Sequence, residues 1–181
     1  MRLVSPPPAR TSPRSAAATT YVRALLDLLG PREPLEVLRE LVPWLDHRLE
    51  GIPDARLRRP EAPGKWSVAG VVQHLADSEL ILAVRGRLIL SEDRPPIQGF
   101  DQDLWAERFR YNDASIEIAL AQLRGLRAAN LEFWRRLSPA DLTREMMHSE
   151  RGPESLGHLL KLMAAHDLVH RRQIDRVLGA A

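Results

Sequence analysis

Apolar residues recur at three- and four-residue steps along most of the chain, the spacing of an α-helix with one buried face. The runs predict helices near 17–29, 34–50, 67–90, 113–137 and 154–178. Gly30-Pro31 stops the first, Ser67 is placed to cap the third, and Pro53, Pro60, Pro63 and Gly64 make 51–66 a loop. Pro43, inside the second run, is expected to bend or interrupt it. No alternating segment is long enough to argue for a sheet. The connection over 91–112 is long for a helical protein and carries Trp105, Phe109 and Tyr111. Such a segment is a functional lid or holds short helices of its own, and DQDLWAERF reads as a helical turn. Four long helices with an additional N-terminal one predict an all-α fold: a four-helix bundle with an extra N-terminal helix and a long connection between the second and third bundle helices.

Residues 1–19 break the pattern. Pro6, Pro7 and Pro8 stand in a stretch with three arginines and no acid, a composition that buries too little apolar surface to order itself. They oppose the amphipathic helix of a transit peptide. The expected organisation is therefore a disordered tail over 1–19 and one helical-bundle domain over 20–181. With 181 residues and 44% hydrophobic content the chain can bury a core without cross-links.

It contains no cysteine, which excludes disulfides, cysteine nucleophiles and Cys-type zinc sites and makes the cytoplasm the default location. The net charge is only +2, and of 26 basic residues only Lys65 and Lys161 are lysines. The arginines alternate with acids instead of forming a basic run, so nucleic acid is not an expected partner. No apolar stretch approaches the ~20 residues of a membrane span.

The last helix raises a chemical question. In LLKLMAAHDLVHRRQIDRVL, a helical projection places His166 and His170 within about 80° of Leu156, Leu159, Met163, Ile174 and Val177. Both imidazoles face the core. On the 67–90 helix His74 lies on the shoulder of the apolar face, beside Ser78 and Arg85. Three histidines on two helices thus share one interior. A pair at i and i+4 with a third from a neighbour makes a three-His metal site that leaves a position open for water or substrate. The same positions also suit hydrogen-bonded core histidines, and spacing alone does not separate the two.

Other polar residues have more than one reading. Asp77 is an outer carboxylate orienting an imidazole, a base, or a solvated surface acid. Arg85 receives an anionic substrate or caps a buried acid. Gln173 bonds a bound ligand or is a polar edge residue. Asp167 makes HDLVH look like the HExxH of zinc proteases, but its short carboxylate, about 100° from His166, is poorly placed to act as a base. His47, His148 and His158 read as surface or capping residues, and Trp66, Trp105 and Trp134 as core plugs or pocket walls.

The runs GKWSVAGVVQHLADSE (64–79), IQGFDQDLW (97–105) and LLKLMAAHDLVHRRQI (159–174), in that order, resemble the DinB/YfiT-like superfamily of bacterial metalloproteins. The resemblance covers about 35–178. It implies a four-helix bundle, often a homodimer, holding a divalent metal such as zinc or nickel through His74, His166 and His170. It further implies a metal-dependent enzyme acting on a small-molecule electrophile, either as an S-transferase using a low-molecular-weight thiol as co-substrate or as a hydrolase. A non-catalytic metal-binding stress-response protein is the alternative, and a polar-cored bundle without metal is the third.

Overall fold

The computed structural model describes residues 13–179, with side chains from residue 20 onward. Its long helices are α1 (Pro13–Leu29), α2 (Pro34–Leu49), α4 (Val68–Ser91), α6 (Ile116–Arg135) and α7 (Leu156–Leu178); α3 (Asp54–Leu57) and α5 (Gln102–Arg108) are short. The tail expected over 1–19 lies outside the described residues as far as residue 12. Residues 13–19 belong instead to α1, where a proline at the first helical position and the strong helix formers Ala16, Ala17 and Ala18 explain the earlier start. No helix among the described residues is long and apolar enough to cross a membrane.

The helix starts follow from side-chain caps. Ser67 Oγ accepts from Gly70 N at 3.1 Å, Ser115 Oγ from Ile118 N at 3.3 Å, and Ser155 Oγ from His158 N at 3.1 Å, each satisfying an amide that the helix itself leaves unpaired. Of the two outcomes expected at Pro43, interruption does not occur: α2 runs through it continuously. Pro43 and Arg39, whose carbonyl loses its partner, both face solvent, so water takes the place of the missing amide.

Helices α2, α4, α6 and α7 form the bundle, and α1 packs outside it against α7. Arg171 meets Glu40 at 3.0 Å and Arg48 meets Asp175 at 2.8 Å, so α2 and α7 run the same way. Gly70 lies against Asn112, ahead of α6, whereas Gly86 lies against Phe133 and Trp134 near its end, so α4 and α6 are also parallel. A parallel step forces the chain to travel back the length of the bundle. That is why the segment 92–115 is long, and it is where the extra elements sit.

A small sheet, not foreseen from the sequence, joins that crossover to the α6–α7 connection. β1 (Pro96–Ile97) pairs parallel with β2 (Glu145–His148), which pairs antiparallel with β3 (Gly152–Ser155). Strands of two and four residues are too short for a period of two to show. Within β2 the alternation is nevertheless real: Met146 and His148 point inward, Glu145 and Met147 outward.

Two apolar clusters fill the interior. One gathers Val37, Leu38, Ile89, Trp134, Leu156, Leu159 and Leu168; the other gathers Leu41, Leu45, Val71, Val72, Leu75, Leu123 and Ile174. Buried polar side chains come from three of the bundle helices, His74 and Glu79 on α4, Arg127 and Asn130 on α6, Asp167 and His170 on α7, and Arg127 reaches the Leu38 carbonyl of the fourth, α2.

Candidate metal centre

His74 stands two turns into α4, and the start of that helix is anchored to the crossover. Asn112 Oδ1 accepts from Ser67 N at 3.0 Å and from Ser67 Oγ at 2.6 Å, fixing where the first turn begins and hence where His74 points. His166 and His170 are one turn apart on α7, stacked on one face. The structure brings all three together: their available ring nitrogens lie within 4.8 Å of one another. His74 Nε2 is 3.0 Å from His166 Nε2, which is 3.0 Å from His170 Nε2.

The tautomers test whether this triangle suits a cation. His170 Nδ1 lies 2.7 Å from Gln173 Oε1; since a carbonyl oxygen only accepts, Nδ1 carries the proton and His170 Nε2 presents a bare lone pair. His166 Nε2 has either one proton or one lone pair, so it satisfies one of its two 3.0 Å neighbours and not both. His74 Nδ1 is buried without a hydrogen-bond partner among the described residues. As packing this is costly. As a donor set it is coherent: three neutral imidazoles aim lone pairs at one region, the arrangement a divalent transition metal takes.

Burial is the main cause of neutrality. It drives the His74 pKa down to about 3, with the neighbouring His170 charge adding to the effect, and that of His170 to about 4, while His166 falls well below the ordinary range. Trp66 closes one side. Its ring lies 4.7 Å from His74 and stacks on His170 at 6.4 Å with 12° between planes.

Below the triangle the buried polar side chains are tightly bonded. Arg127 grips Asp167 through both terminal nitrogens, at 2.7 and 3.2 Å, meets Glu79 at 2.9 Å and donates to the Leu38 carbonyl at 2.7 Å. Asn130 Nδ2 donates to Glu79 Oε1 at 2.9 Å. Asp167 therefore faces away from the histidines and is spent on an ion pair, which removes the protease-like reading. Asp77 likewise does not touch His74. It accepts from Tyr111 Oη at 2.7 Å and from Gln73 and Gln122 at 3.2 Å, tying the crossover to α4 and α6. Gln173, with an edge position among its sequence readings, is the partner that fixes the His170 tautomer.

Above the triangle opens a cavity of about 290 Å³ whose floor includes His74, Ser78 and His166. Its walls come from α1 (Tyr21, Leu25), α4 (Arg85), the crossover (Gly99, Phe100) and the β2–β3 turn. The sequence reading of His148 as a surface or capping residue is corrected: it is 4% exposed and lines this cavity, because the inward register of β2 points it there. Its Nδ1 accepts from Glu150 N at 3.2 Å, and burial, with Arg151 nearby, pushes its pKa down to about 4. His47 is exposed and His158 is half-buried near the surface, while Trp134 is core and Trp105 packs on Phe100 at 4.8 Å.

Comparison with known proteins agrees with this geometry. Residues 43–174 match the family model of the DinB superfamily. A protein of Oceanobacillus iheyensis, provisionally named a metal-dependent hydrolase, is 36% identical over 111 residues, 61% of this chain and 64% of that one. YfiT of Bacillus subtilis, with the same provisional name, is 28% identical over 149 residues, 80% and 84% of the two chains. The chain thus spans about 64% of the length of the first of these relatives. The solved structure of YfiT, described as having an unusual four-helix bundle topology, superposes with a TM-score of 0.72 at 24% identity, covering 98% of this chain and 95% of that one. With the bundle, its crossover and the family match in agreement, the chain belongs to the DinB superfamily.

Proposed function

We propose that this protein is a divalent-metal-dependent enzyme that acts on a small electrophile in the cavity above His74, His166 and His170. One observation carries the reading: three neutral imidazole nitrogens converge within 4.8 Å of one another, two of the rings, His74 and His166, lining an open cavity, and the three form a donor set with no satisfactory hydrogen-bond solution of its own. His74, His166 and His170 would hold a divalent ion such as zinc or nickel, which would supply Lewis acidity and lower the pKa of a nucleophile beside the substrate. Hydrolysis is the reading supported by the provisional names of the relatives.

The remaining work belongs to the chain's own residues. Gln173 keeps the His170 proton on Nδ1, leaving Nε2 free to ligate. Trp66 covers two of the three rings and excludes water from that side. The Arg127–Asp167–Glu79 cluster locks α4, α6 and α7 in register beneath the site.

A thiol co-substrate is the second reading. The cavity, at about 290 Å³, is several times the ~30 Å³ share of a single water, and the chain has no thiol of its own. Metal analysis of untagged protein, followed by a panel of ester, amide and alkylating substrates with and without biological thiols, tests the proposal. One metal per chain and turnover abolished in His166→Ala is the expected result. Metal retention without turnover across the panel points to a non-catalytic metal-binding protein, and absence of stoichiometric metal overturns the reading.

A further inference from the structure

We infer that Arg85 and His148 form an oxyanion-binding subsite, so that the molecule admitted to the cavity carries a carboxylate or phosphate group at the end remote from the histidine triangle. The inference rests on the reading of this cavity as the substrate site and names the class of substrate.

Arg85 lines the cavity and has no carboxylate partner among the described residues, unlike Arg151, which is taken up by Glu154 at 2.5 and 2.8 Å. Its guanidinium is held in place: Nη2 donates to the Gln98 carbonyl at 2.8 Å, and the group lies 5.8 Å over the Phe100 ring. One donor is thus spent on the crossover, and the rest of the planar fork has no hydrogen-bond partner among the described residues. Such a fork matches the two oxygens of a carboxylate or phosphate.

His148 supplies the second donor. Because the Glu150 amide donates to its Nδ1, the ring proton of the neutral imidazole sits on Nε2. Nε2 has no partner among the described residues, and the ring lines the same cavity. Burial, with the Arg151 charge and then that of Arg85 adding to it, depresses the protonation of His148, so the ring is a neutral donor.

Glu150 is the one acid lining the cavity that opposes an anion. It is exposed and free to turn into solvent, whereas Arg85 is tethered. Arg85 and His74 lie on one helix, about 16 Å apart along its axis, and the arginine leans back toward the helix start. A ligand shorter than that spans from the subsite to the triangle.

The test uses metal-free protein, so that the ion does not bind the probe itself. Inorganic phosphate and benzoate are titrated separately while the histidine ring resonances are followed by NMR; zinc affinity is measured in parallel by calorimetry. At least one probe is expected to saturate with the His148 resonances shifting, and which one does so identifies the anion. Arg85→Gln weakens that probe by about tenfold or more, Arg85→Lys by less, and Glu150→Gln tightens it. Zinc affinity stays within twofold of the parent in all three. Failure of both probes to saturate, or an Arg85→Gln affinity within twofold of the parent, overturns the subsite. Arg85-dependent anion binding in a protein that does not bind zinc leaves the subsite standing and removes the metal reading instead.

Discussion

Nε2 of His166 lies 3.0 Å from Nε2 of His74, a residue 92 positions earlier on a different helix. With His170 Nε2 at 3.0 Å on the other side, one proton cannot serve both contacts. A bound cation relieves this conflict, and the relief is measurable as stability. Zinc or nickel at a thousandfold excess over its dissociation constant adds about 4 kcal/mol, which for a chain of this size raises Tm by roughly 8–16 °C. Differential scanning calorimetry of metal-free and metal-loaded protein is the measurement. His166→Ala is expected to abolish the shift, and an unchanged shift in that variant would place the metal elsewhere.

Gln173 gives a finer test, because it touches the ring of His170 and not the triangle itself. Replacing it with leucine leaves His170 Nδ1 without its acceptor at 2.7 Å and frees the ring to turn or change tautomer. Loss of an orienting partner of this kind costs 10–100-fold in metal affinity. Gln173→Leu is therefore expected to bind zinc about that much more weakly in a competition titration with a chelating dye, while its circular dichroism matches the parent. Gln173→Glu, which keeps an acceptor at the same position, restores binding.

The metal-free protein should also report the triangle through acid. His74 and His170 are held at about 3 and about 4, and His166 well below its ordinary value, chiefly by burial, whereas in the unfolded chain each titrates near 6.5. Between those limits the unfolded state binds more protons than the folded one, so stability rises with pH and is lost as the pH falls from about 6.5 towards 4. Each ring contributes up to roughly 1.4 kcal/mol per pH unit in that window. Urea denaturation of metal-free protein at pH 7.5, 6 and 5 should show the decline. In His166→Leu the slope should be shallower; equal slopes would mean that the rings are accessible to protons in the folded state.

Much of this was legible beforehand, and the pattern of what was not is physical. Helix positions and the inward aim of His74, His166 and His170 follow from a 3.6-residue period, which is local and repeated many times. The sheet was invisible because Ile97 pairs with His148 across 51 positions through strands too short to show their own period. His148 was misjudged for the same reason: its burial depends on the register of β2, not on its neighbours in sequence. Gln173 did carry a signal, since a residue three positions after His170 on a helix lies beside it. The roles of Asp77 and Asp167 depended on Tyr111, Gln122 and Arg127, which come from other elements.

Arg127 has two carboxylates to itself, Asp167 and Glu79, all nearly inaccessible. Arg127→Met would leave both acids buried and unpaired, a change that costs about 3–5 kcal/mol. The cost should depend on pH. Burial pushes the Asp167 carboxyl up, and removing the arginine takes away the charge opposing that rise. A carboxyl with a folded-state pKa above its unfolded one loses stability as the pH rises through the interval. The deficit of the variant is therefore expected to be larger at pH 8 than at pH 5 in paired denaturant titrations. A pH-independent deficit would show that packing, not charge, is what Arg127 provides.

Two helical glycines make opposite predictions from one rule. Glycine inside a helix is normally worse than alanine by roughly 0.5–1 kcal/mol. At Gly125, on α6, a Cβ would meet nothing within 4 Å, so Gly125→Ala should stabilise by about that amount. At Gly70, on α4, a Cβ would lie 2.6 Å from Asn112 Oδ1, the same oxygen that holds Ser67. The methyl must push Asn112 off the helix start, leaving the Ser67 amide unpaired and moving the turn from which His74 projects. Gly70→Ala is expected to destabilise despite alanine's better helix propensity, and to weaken zinc binding as well. Gly125→Ala leaves zinc binding unchanged. Equal and favourable effects on Tm at both positions would mean that Asn112 does not set the start of α4.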